Sequence, residues 1–390
     1  MKIKRFEDED LPKLFELINR SISTNRSHDT WHNMTAVLSS EGDNLIGAIP
    51  LEKRTLSFGA DKYEDVLWVS AAHVDPEYRS QGIGRKMDQK IKEFFYPDYI
   101  GTFVYREDEK SRAYNWYKQL GFCEIVPIVS VNKKVTKTGD VDDYLIINSK
   151  ADVEKNQRRI YQCFNHNTKR YSGFPNRHEN FWTEKLSSHY YKDSYQYCMI
   201  LLFDGDDLSG YSFLGQTDLR DDIKRFDILE FITPDNDLVR KQLFTAINNQ
   251  ASQNNLDEIR IQLTTQDPHL KWFQSVGFSE RWNTNVMGKL YDPIKVFRDR
   301  VKDKIDLRNE TRFEVNTPNT GKKTIGKGKS NISISCKDDV FLKLIMNQHN
   351  ITELITKGEM LLENCKKEVH DRLLKCFPLV NWIHFHIDYI

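Results

Sequence analysis

The chain has 390 residues, enough for two or three domains of about 150 residues each. Its 57 Lys and Arg residues balance 57 Asp and Glu residues, so it lacks the basic excess that draws a protein onto nucleic acid or an anionic membrane surface. Hydrophobic residues make up 39% of the chain and aromatic residues 12%, which argues for packed cores, and no apolar run approaches the roughly 18 residues of a membrane span.

The N-terminal segment turns acidic within its first ten residues and shows no apolar core of a signal peptide, so we expect a cytoplasmic protein. The six cysteines contain no C-x-x-C pair, and their spacing fits neither a zinc site nor a disulfide scaffold. We therefore expect reduced thiols and no metal.

The first part of the chain alternates helical and extended patterns, which predicts an α/β unit. Helical spacing of apolar residues occurs at 11–20, 83–95 and 111–120. Extended patterns occur at 36–40, 45–49, 66–74, 99–105 and 124–132.

The middle of the chain repeats this order more faintly. Strands are predicted at 198–203, 209–214, 226–233 and 258–264, and helices at 238–250 and 268–275. Both halves end in a similar motif, which is Trp116-Tyr117-x-x-x-Gly121-Phe122 in the first and Trp272-Phe273-x-x-x-Gly277-Phe278 in the second. A repeat of this length indicates duplication of a whole domain rather than a solenoid.

The last hundred residues differ from both halves. The segments 294–305, 313–315 and 332–335 predict a small sheet, and the Lys- and Gly-rich segment 316–330 predicts a mobile loop. Helices are predicted at 340–346, 351–356 and 367–376, followed by an alternating strand at 382–390.

One motif carries chemistry: a strand ending near Val74, a turn marked by Pro76, and Arg79-x-x-Gly82-x-Gly84 opening a helix. The N-terminus of a helix has unpaired backbone N–H groups and the positive end of the macrodipole. Glycines there leave those donors open to a phosphate group. The spacing does not fit a dinucleotide fingerprint, because Met87 stands where a third glycine is required. The motif therefore predicts a pyrophosphate held mainly by backbone.

Together with the later Ala113 to Phe122 stretch, this motif resembles motifs A and B of the GNAT acyltransferases, which bind acetyl-CoA. The resemblance implies that residues 1–145 form a catalytic GNAT domain with a mixed, splayed sheet flanked by helices. It also implies that the backbone at the end of the strand contacts the acetyl and pantetheine arm, and that the phosphate loop cradles the pyrophosphate. The implied cofactor-binding residues are Ala72, His73, Val74, Arg79, Ser80, Gln81, Gly82, Ile83, Gly84 and Arg85.

Tyr117 matches the family's tyrosine that protonates the departing CoA thiolate. Its alternative interpretation is a core aromatic residue on an amphipathic helix. Lys110 departs from the family, since many relatives carry an Asn that contacts the cofactor there.

The second half, 146–292, has Thr233-Pro234-Asp235-Asn236-Asp237 where the glycine loop belongs, and Phe273 replaces the tyrosine. We interpret it as a degenerate GNAT fold without a cofactor site. Two such units followed by a tail at 293–390 resemble the enhanced-intracellular-survival acetyltransferases, whose third domain is sterol-carrier-like. That resemblance implies a catalytic role for the terminal carboxylate of Ile390, and hexamers.

The resemblance leads us to expect direct acetyl transfer to a primary amine, such as a small amine, an aminoglycoside-like molecule or a lysine. The alternative is a carrier of an apolar ligand, in which the tail binds lipid and the GNAT units are scaffold. Two weaker patterns do not change this choice. His384, His386 and Asp388 share one face of the predicted final strand, but an ordinary amphipathic strand is favoured over a metal site. The 321–328 stretch nearly spells a P-loop, but Gly328 stands where Ser or Thr is required.

Overall fold

The computed structural model describes residues 1–21, 34–59, 62–70, 72–106, 111–136, 139, 144–187, 196–217 and 224–389. By their contacts these residues form two compact units. Unit 1 contains residues 1–21, 34–127 and 284–381, and unit 2 contains residues 128–283 and 382–389. The boundaries expected after residues 145 and 292 stay a prediction about the sequence repeat. No helix among the described residues is long and apolar enough to cross a membrane.

The elements up to the first closing strand are β1 Lys2–Arg5, α1 Leu11–Ser21, β2 Met34–Glu41, β3 Asn44–Ser57, β4 Tyr63–Val69, β5 His73–Val74, α2 Ile83–Phe95, β6 Gly101–Arg106, α3 Arg112–Gln119 and β7 Cys123–Lys134. The next are β8 Tyr144–Ile147, α4 Lys150–Thr168, α5 Phe181–Ser187, β9 Gln196–Asp204, β10 Asp207–Thr217, β11 Arg225–Ile232, α6 Asp237–Gln253, β12 Glu258–Thr264, α7 Pro268–Ser275 and β13 Ser279–Leu290. The remainder are α8 Pro293–Val301, β14 Thr311–Thr317, β15 Gly321–Ile325, β16 Ser330–Cys336, α9 Asp338–Ile345, α10 Ile351–Thr356, β17 Met360–Glu363 and α11 Lys367–Cys376. In the described part of the chain, 3₁₀ turns lie at Asp8–Asp10, Pro76–Tyr78 and His386–Tyr389.

Unit 1 contains a mixed sheet in the order β1-β2-β3-β4-β6-β13. Strands β4 and β6 run parallel, and β13 pairs with β6 in the antiparallel direction from Asn285 opposite Arg106 to Leu290 opposite Gly101. The apolar face of α2, with Ile83, Met87 and Ile91 fully buried at helical spacing, packs into the core of this unit. The α/β fold predicted from the alternating patterns is confirmed.

Unit 2 contains the sheet β7-β12-β11-β10-β9-β8, in which β11 and β12 are the parallel pair. A hairpin, a strand, a helix, a strand and a helix follow one another here in the same order as in unit 1, as the sequence repeat predicts. The strand that ends each half of the sequence pairs, over most of its length, with a strand from the other half. Residues 285–290 of β13 pair with β6 in unit 1, and residues 128–134 of β7 pair with β12 in unit 2.

Unit 1 also contains a four-stranded sheet in the order β15-β14-β16-β17, covered by α8, α9 and α11. Its core is built on Phe297, Phe313, Phe341 and Phe377, which are all fully buried. Phe297 stacks on Phe377 at 5.2 Å between ring centroids and meets Phe313 edge-on at 5.5 Å. The predicted helices 351–356 and 367–376 are confirmed.

Two predictions about this region are wrong. The segment 294–305 was expected to join the sheet, but Pro293–Val301 is a helix. The Asp292 carboxylate accepts a hydrogen bond from the Lys295 backbone N–H (2.9 Å), and Pro293 occupies the first helical position. Because of this capping the segment forms a helix, although its β-branched side chains favour a strand.

The segment 316–330, expected as a mobile loop, contains strand β15, which pairs with β14. Asp338, a distant residue in sequence, accepts hydrogen bonds from the Thr317 hydroxyl (2.6 Å) and the Asn319 backbone N–H (3.2 Å). These bonds fix the turn of the hairpin. The sequence did not predict strand β15 because a solvent-exposed edge strand can be rich in lysine, as a loop is.

The C-terminal segment is also not the predicted strand. Trp382 forms an isolated bridge to Ser172, and the chain then enters the 3₁₀ turn His386–Tyr389. Ile383, His384 and Phe385 are all buried, so the segment is covered on both faces and its alternation does not mark one buried face.

Candidate active site

In unit 1 the predicted cofactor-binding residues follow the end of the parallel pair β4 and β6. The strand expected at 66–74 is divided: Val69 pairs with Leu51 of β3, and His73 pairs with Ala48. The register against β3 therefore shifts by one residue between Val69 and His73. The parallel register with β6 ends at Val69 opposite Val104. A cleft at the carboxyl ends of parallel strands is where α/β sheets bind ligands.

Three of the predicted cofactor-binding residues lie in or directly before the short strand β5. His73 is buried, and Ala72 and Val74 are half-buried. The Val74 carbonyl already accepts a hydrogen bond from Arg79 Nε (2.9 Å). Arg79 therefore ties the loop back to the strand, and its guanidinium has a structural contact that the sequence did not reveal.

The loop before α2 has two residues in the left-handed region, Ser80 with φ 65° and Gly82 with φ 74°. A Cβ atom on Gly82 would meet no heavy atom within 4 Å, so open space lies beside this glycine. Gly82 is the N-cap of α2 and has no side chain to bond the first backbone N–H groups of the helix, which have no acceptor within the helix. These are the features of an anion site.

Gly84 has a different role from Gly82. A Cβ atom there would lie 2.7 Å from Cζ2 of Trp116, so this glycine allows α2 and α3 to approach closely. The two glycines were predicted to serve the phosphate together. The open space is at Gly82 alone of the two, and Gly84 is required for packing.

Positive charge surrounds the loop. Arg79 and Arg85 are exposed, and Arg112, the first residue of α3, places Nη2 3.5 Å from the Ser80 hydroxyl. Gln81 donates from Nε2 to the Glu77 carbonyl at 3.4 Å. Sequence reasoning missed Arg112 because it lies outside the glycine motif. The open space, the uncapped amides and the arginines together fit a pyrophosphate.

Tyr117 lies on α3 and is only 2% exposed. Its ring packs edge-on against Trp116 (4.7 Å between centroids) and Phe122 (5.0 Å). Burial raises the pKa of Tyr117 to about 12, and the nearby Arg106 guanidinium acts in the opposite direction. Tyr117 therefore keeps its proton at neutral pH, as a proton donor must, and it also packs as a core residue.

The corresponding place in unit 2 is built differently. Parallel pairing of β11 and β12 ends at Ile228 opposite Ile261. Beyond that point the C-terminal segment is bound to unit 2. The Trp382 backbone N–H donates to Gln266 Oε1 (2.9 Å), and the Thr264 hydroxyl donates to the Trp382 carbonyl. The strand β11 also packs against the 3₁₀ turn that follows.

The first N–H groups of helix α6 in unit 2 are occupied by the protein itself. The Asn236 side chain accepts hydrogen bonds from the backbone N–H groups of Leu238 (2.9 Å) and Val239 (3.4 Å). Asp235 and Asp237 place two carboxylates beside this helix start, both paired with Arg240. An anion would meet capped donors and negative charge here.

A buried ion cluster anchors the C-terminal segment in unit 2. The Arg177 guanidinium donates to Glu230 and to Asp388 Oδ1 (2.7 Å), and all three side chains are at most 2% exposed. Trp182 Nε1 and the Tyr211 hydroxyl donate to the remaining Glu230 oxygen at 2.6 and 2.7 Å. Asp388, considered in a metal set, is thus bound to an arginine. Ile390, expected to supply a catalytic carboxylate, lies outside the described residues.

A second buried carboxylate caps helix α7 in unit 2. Asp267 Oδ1 accepts a hydrogen bond from the His269 backbone N–H (2.8 Å). Burial raises the pKa of Asp267 to about 7 and lowers the pKa of His269 to about 3. Both groups are therefore held mainly uncharged between about pH 3 and pH 7.

Comparison with known proteins agrees with this geometry. Residues 34–124 match the sequence model of the acetyltransferase (GNAT) domain. No curated protein matches the sequence. The fold resembles a protein of unknown function from Enterococcus faecalis V583, described as a probable N-acyltransferase, at a TM-score of 0.71 and 11% identity over 98% of this chain and 97% of that one.

Two further solved structures extend the comparison. A GCN5-related N-acetyltransferase from Anabaena variabilis ATCC 29413 aligns at a TM-score of 0.69 and 14% identity, covering 97% of both chains. Eis1 from Mycobacterium abscessus aligns at 0.64 and 10% identity, covering 98% of both chains. Residues 34–124 are thus the part of the chain that matches a GNAT acetyltransferase domain. In overall fold the chain resembles the enhanced-intracellular-survival acetyltransferases, as the sequence predicted.

Proposed function

We propose that this protein transfers an acetyl group from acetyl-CoA directly to a primary amine. The observation that carries the proposal is the uncapped start of α2 beside Gly82, which follows the carboxyl end of β4 in the parallel pair β4 and β6. Family members use acetyl-CoA, which supplies an acyl group activated as a thioester. Holding both reactants in one site provides much of the rate acceleration.

The phosphate loop binds the pyrophosphate in this proposal. Backbone N–H groups from Ser80, Gln81, Gly82, Ile83, Gly84 and Arg85 donate to it, and Arg79, Arg85 and Arg112 balance its charge. In this proposal Ala72, His73 and Val74, at the end of the strand, position the pantetheine arm and the acetyl carbonyl. The sterol-carrier-like character of the tail and the hexamer stay predictions.

Tyr117 is the proposed proton donor. The amine nitrogen forms a bond to the acetyl carbon, the carbon–sulfur bond breaks, and the Tyr117 hydroxyl gives its proton to the sulfur while the amine loses one to solvent. Because burial keeps the phenol protonated, the donor is ready when the substrates arrive. General-acid groups of this kind contribute roughly 10²–10⁴-fold to rate.

The acceptor and the base are assigned by resemblance. A terminal carboxylate serves the resembled family, and we extend this role to Ile390, where it would attract the substrate ammonium and accept its proton through water. A small amine, an aminoglycoside-like molecule and a lysine all suit such a site. Adding residues after Ile390 should then lower turnover, and full activity in that variant would remove the role.

We also propose that unit 2 binds no acetyl-CoA. Three features support this: the capped amides at Asn236, the carboxylates of Asp235 and Asp237, and the C-terminal segment bound beyond the end of the β11–β12 pairing. Calorimetry should therefore find one acetyl-CoA site per chain.

The experiment for the whole proposal is isothermal titration with acetyl-CoA, followed by a panel of amines with detection of thiol release. We expect saturable binding and thiol release that depends on the amine. Absence of binding at millimolar acetyl-CoA would contradict the proposal. A stoichiometric lipid in the purified protein without acyl transfer would favour the carrier alternative.

A further inference from the structure

Arg106 is the last residue of β6, the strand that runs parallel to β4. Its Cζ atom lies 5.7 Å from the centroid of the Tyr117 ring. Its Nε is buried and forms no hydrogen bond, and among the described residues no carboxylate lies within salt-bridge distance of its guanidinium. A buried arginine Nε without a hydrogen bond, beside the ring of the proposed proton donor, needs an explanation, because most buried polar groups have a partner.

We propose that Arg106 is a positioning residue for Tyr117, which orients the phenol and stabilises the negative charge that develops on its oxygen as the proton moves to the sulfur. This inference rests on the proposed function and deepens it. Arg106 contacts neither substrate in this role, since it acts through Tyr117.

The electrostatic balance around the phenol supports this role. Burial is the largest influence and makes a phenolate costly, while the charge of Arg106 favours the phenolate. The neighbouring carboxylate, Asp88 on α2, acts against the phenolate. Asp88 is itself paired with Lys289 of β13, whose Nζ lies 2.6 Å from Oδ2. Lys289 is thus held by Asp88, whereas no carboxylate of the described residues lies at salt-bridge distance from Arg106.

The charge matters because proton donation by a buried tyrosine leaves a phenolate in a site shielded from water. A preorganised cation stabilises such a charge far better than it would in bulk solvent, because the local dielectric is low. Removal of the cation should weaken the donor while acetyl-CoA binding is retained, since the phosphate loop lies on a different element.

The first experiment compares Arg106→Gln and Arg106→Lys with Lys118→Gln by steady-state kinetics. Lys118 is a matched control, because it is a cation on α3 that lies 5.2 Å from the Tyr114 ring and is exposed. We expect Arg106→Gln to lower kcat roughly 10–100-fold with KM for acetyl-CoA changed less than about threefold. Arg106→Lys should restore part of kcat, and Lys118→Gln should behave as the unaltered protein.

The decisive test combines Arg106→Gln with Tyr117→Phe. If Arg106 acts through the phenol, its substitution should have little effect on kcat once the hydroxyl is absent. An equal loss of kcat in both backgrounds, or a rise in KM alone, would overturn the inference. Circular dichroism of each variant checks folding, and Arg106→Lys carries the comparison if Arg106→Gln does not fold.

A final measurement is independent of activity. Fluorotyrosine at position 117, followed by fluorine NMR as a function of pH, reports the phenol pKa directly. We expect a higher pKa in Arg106→Gln than in the unaltered protein, and an unchanged pKa would refute the inference. If the Tyr117 pKa rises in Arg106→Gln but the protein transfers no acyl group, the result contradicts the proposed function and not the role of Arg106.

Discussion

Replacing Gly82 by alanine should weaken acetyl-CoA binding much more than it weakens the fold. The alanine must adopt φ near 74°, which costs about 1–2 kcal/mol for a residue with a Cβ atom. No heavy atom lies within 4 Å of the added Cβ, so we expect no further loss of stability from packing. The methyl group fills the space proposed for a phosphate oxygen.

The expected loss of affinity follows from the contact that is displaced. A hydrogen bond from a backbone N–H to an ionised phosphate contributes about 1.5–3 kcal/mol. Losing one such bond should raise the dissociation constant of acetyl-CoA roughly 10–150-fold. Isothermal titration gives this constant, and urea unfolding followed by circular dichroism gives the stability.

Gly42 provides the matched control. It also has a positive φ, 58°, it lies in the β2–β3 turn of unit 1, and a Cβ atom there would also meet no heavy atom within 4 Å. Gly42→Ala should therefore lose similar stability and bind acetyl-CoA normally. Equal affinity in the two variants would show that the space beside Gly82 is not the phosphate site, and the reasoning would fail.

Three further predictions concern single side chains. Tyr117→Phe should lower kcat roughly 10²–10⁴-fold with acetyl-CoA affinity nearly unchanged, as measured by thiol release and calorimetry; a change in affinity alone would contradict a proton-donor role. Asp267→Asn keeps an N-cap acceptor and removes a carboxyl whose pKa rises from 3.8 to about 7 on folding, so the unaltered protein should lose stability from pH 4 to 7. The variant should gain up to about 4 kcal/mol in unfolding free energy above pH 7 and almost nothing at pH 4; a pH-independent difference would refute this. Arg177→Met leaves two carboxylates buried without their cation and should lower the free energy of unfolding in urea by about 3–5 kcal/mol. Lys150→Met, which removes an exposed ion pair, should lower it by less than about 1 kcal/mol. Similar losses in the two variants would show that the buried cluster is not stabilising.

The sequence predicted the parts of the fold that depend on local signals. Helix α2 begins at Ile83, as the glycine loop before it indicates, and helix α7 begins at Pro268 after an Asp cap. The predictions failed where distant contacts decide the structure. The β14–β15 hairpin depends on Asp338, and the conformation after Trp382 depends on residues more than 100 positions away.

The candidate site shows the same division. The position of Gly82 was predictable because left-handed backbone and an uncapped helix start leave a signature in the sequence. The separate role of Gly84 was not, because it depends on where α3 places Trp116. Arg106 and Arg112 have no motif of their own and are brought near Tyr117 and Ser80 by the sheet and by α3.

The exchange of closing strands has a practical meaning for anyone who divides this chain. A fragment of residues 1–145 retains β7, but it loses residues 285–290, which shield the β6 edge beside Tyr117 and Arg106. That exposed edge offers unsatisfied peptide groups to a second molecule, so the fragment should self-associate. Catalysis by such a truncated piece would therefore require residues 284–290 to be supplied as a separate peptide or through a linker.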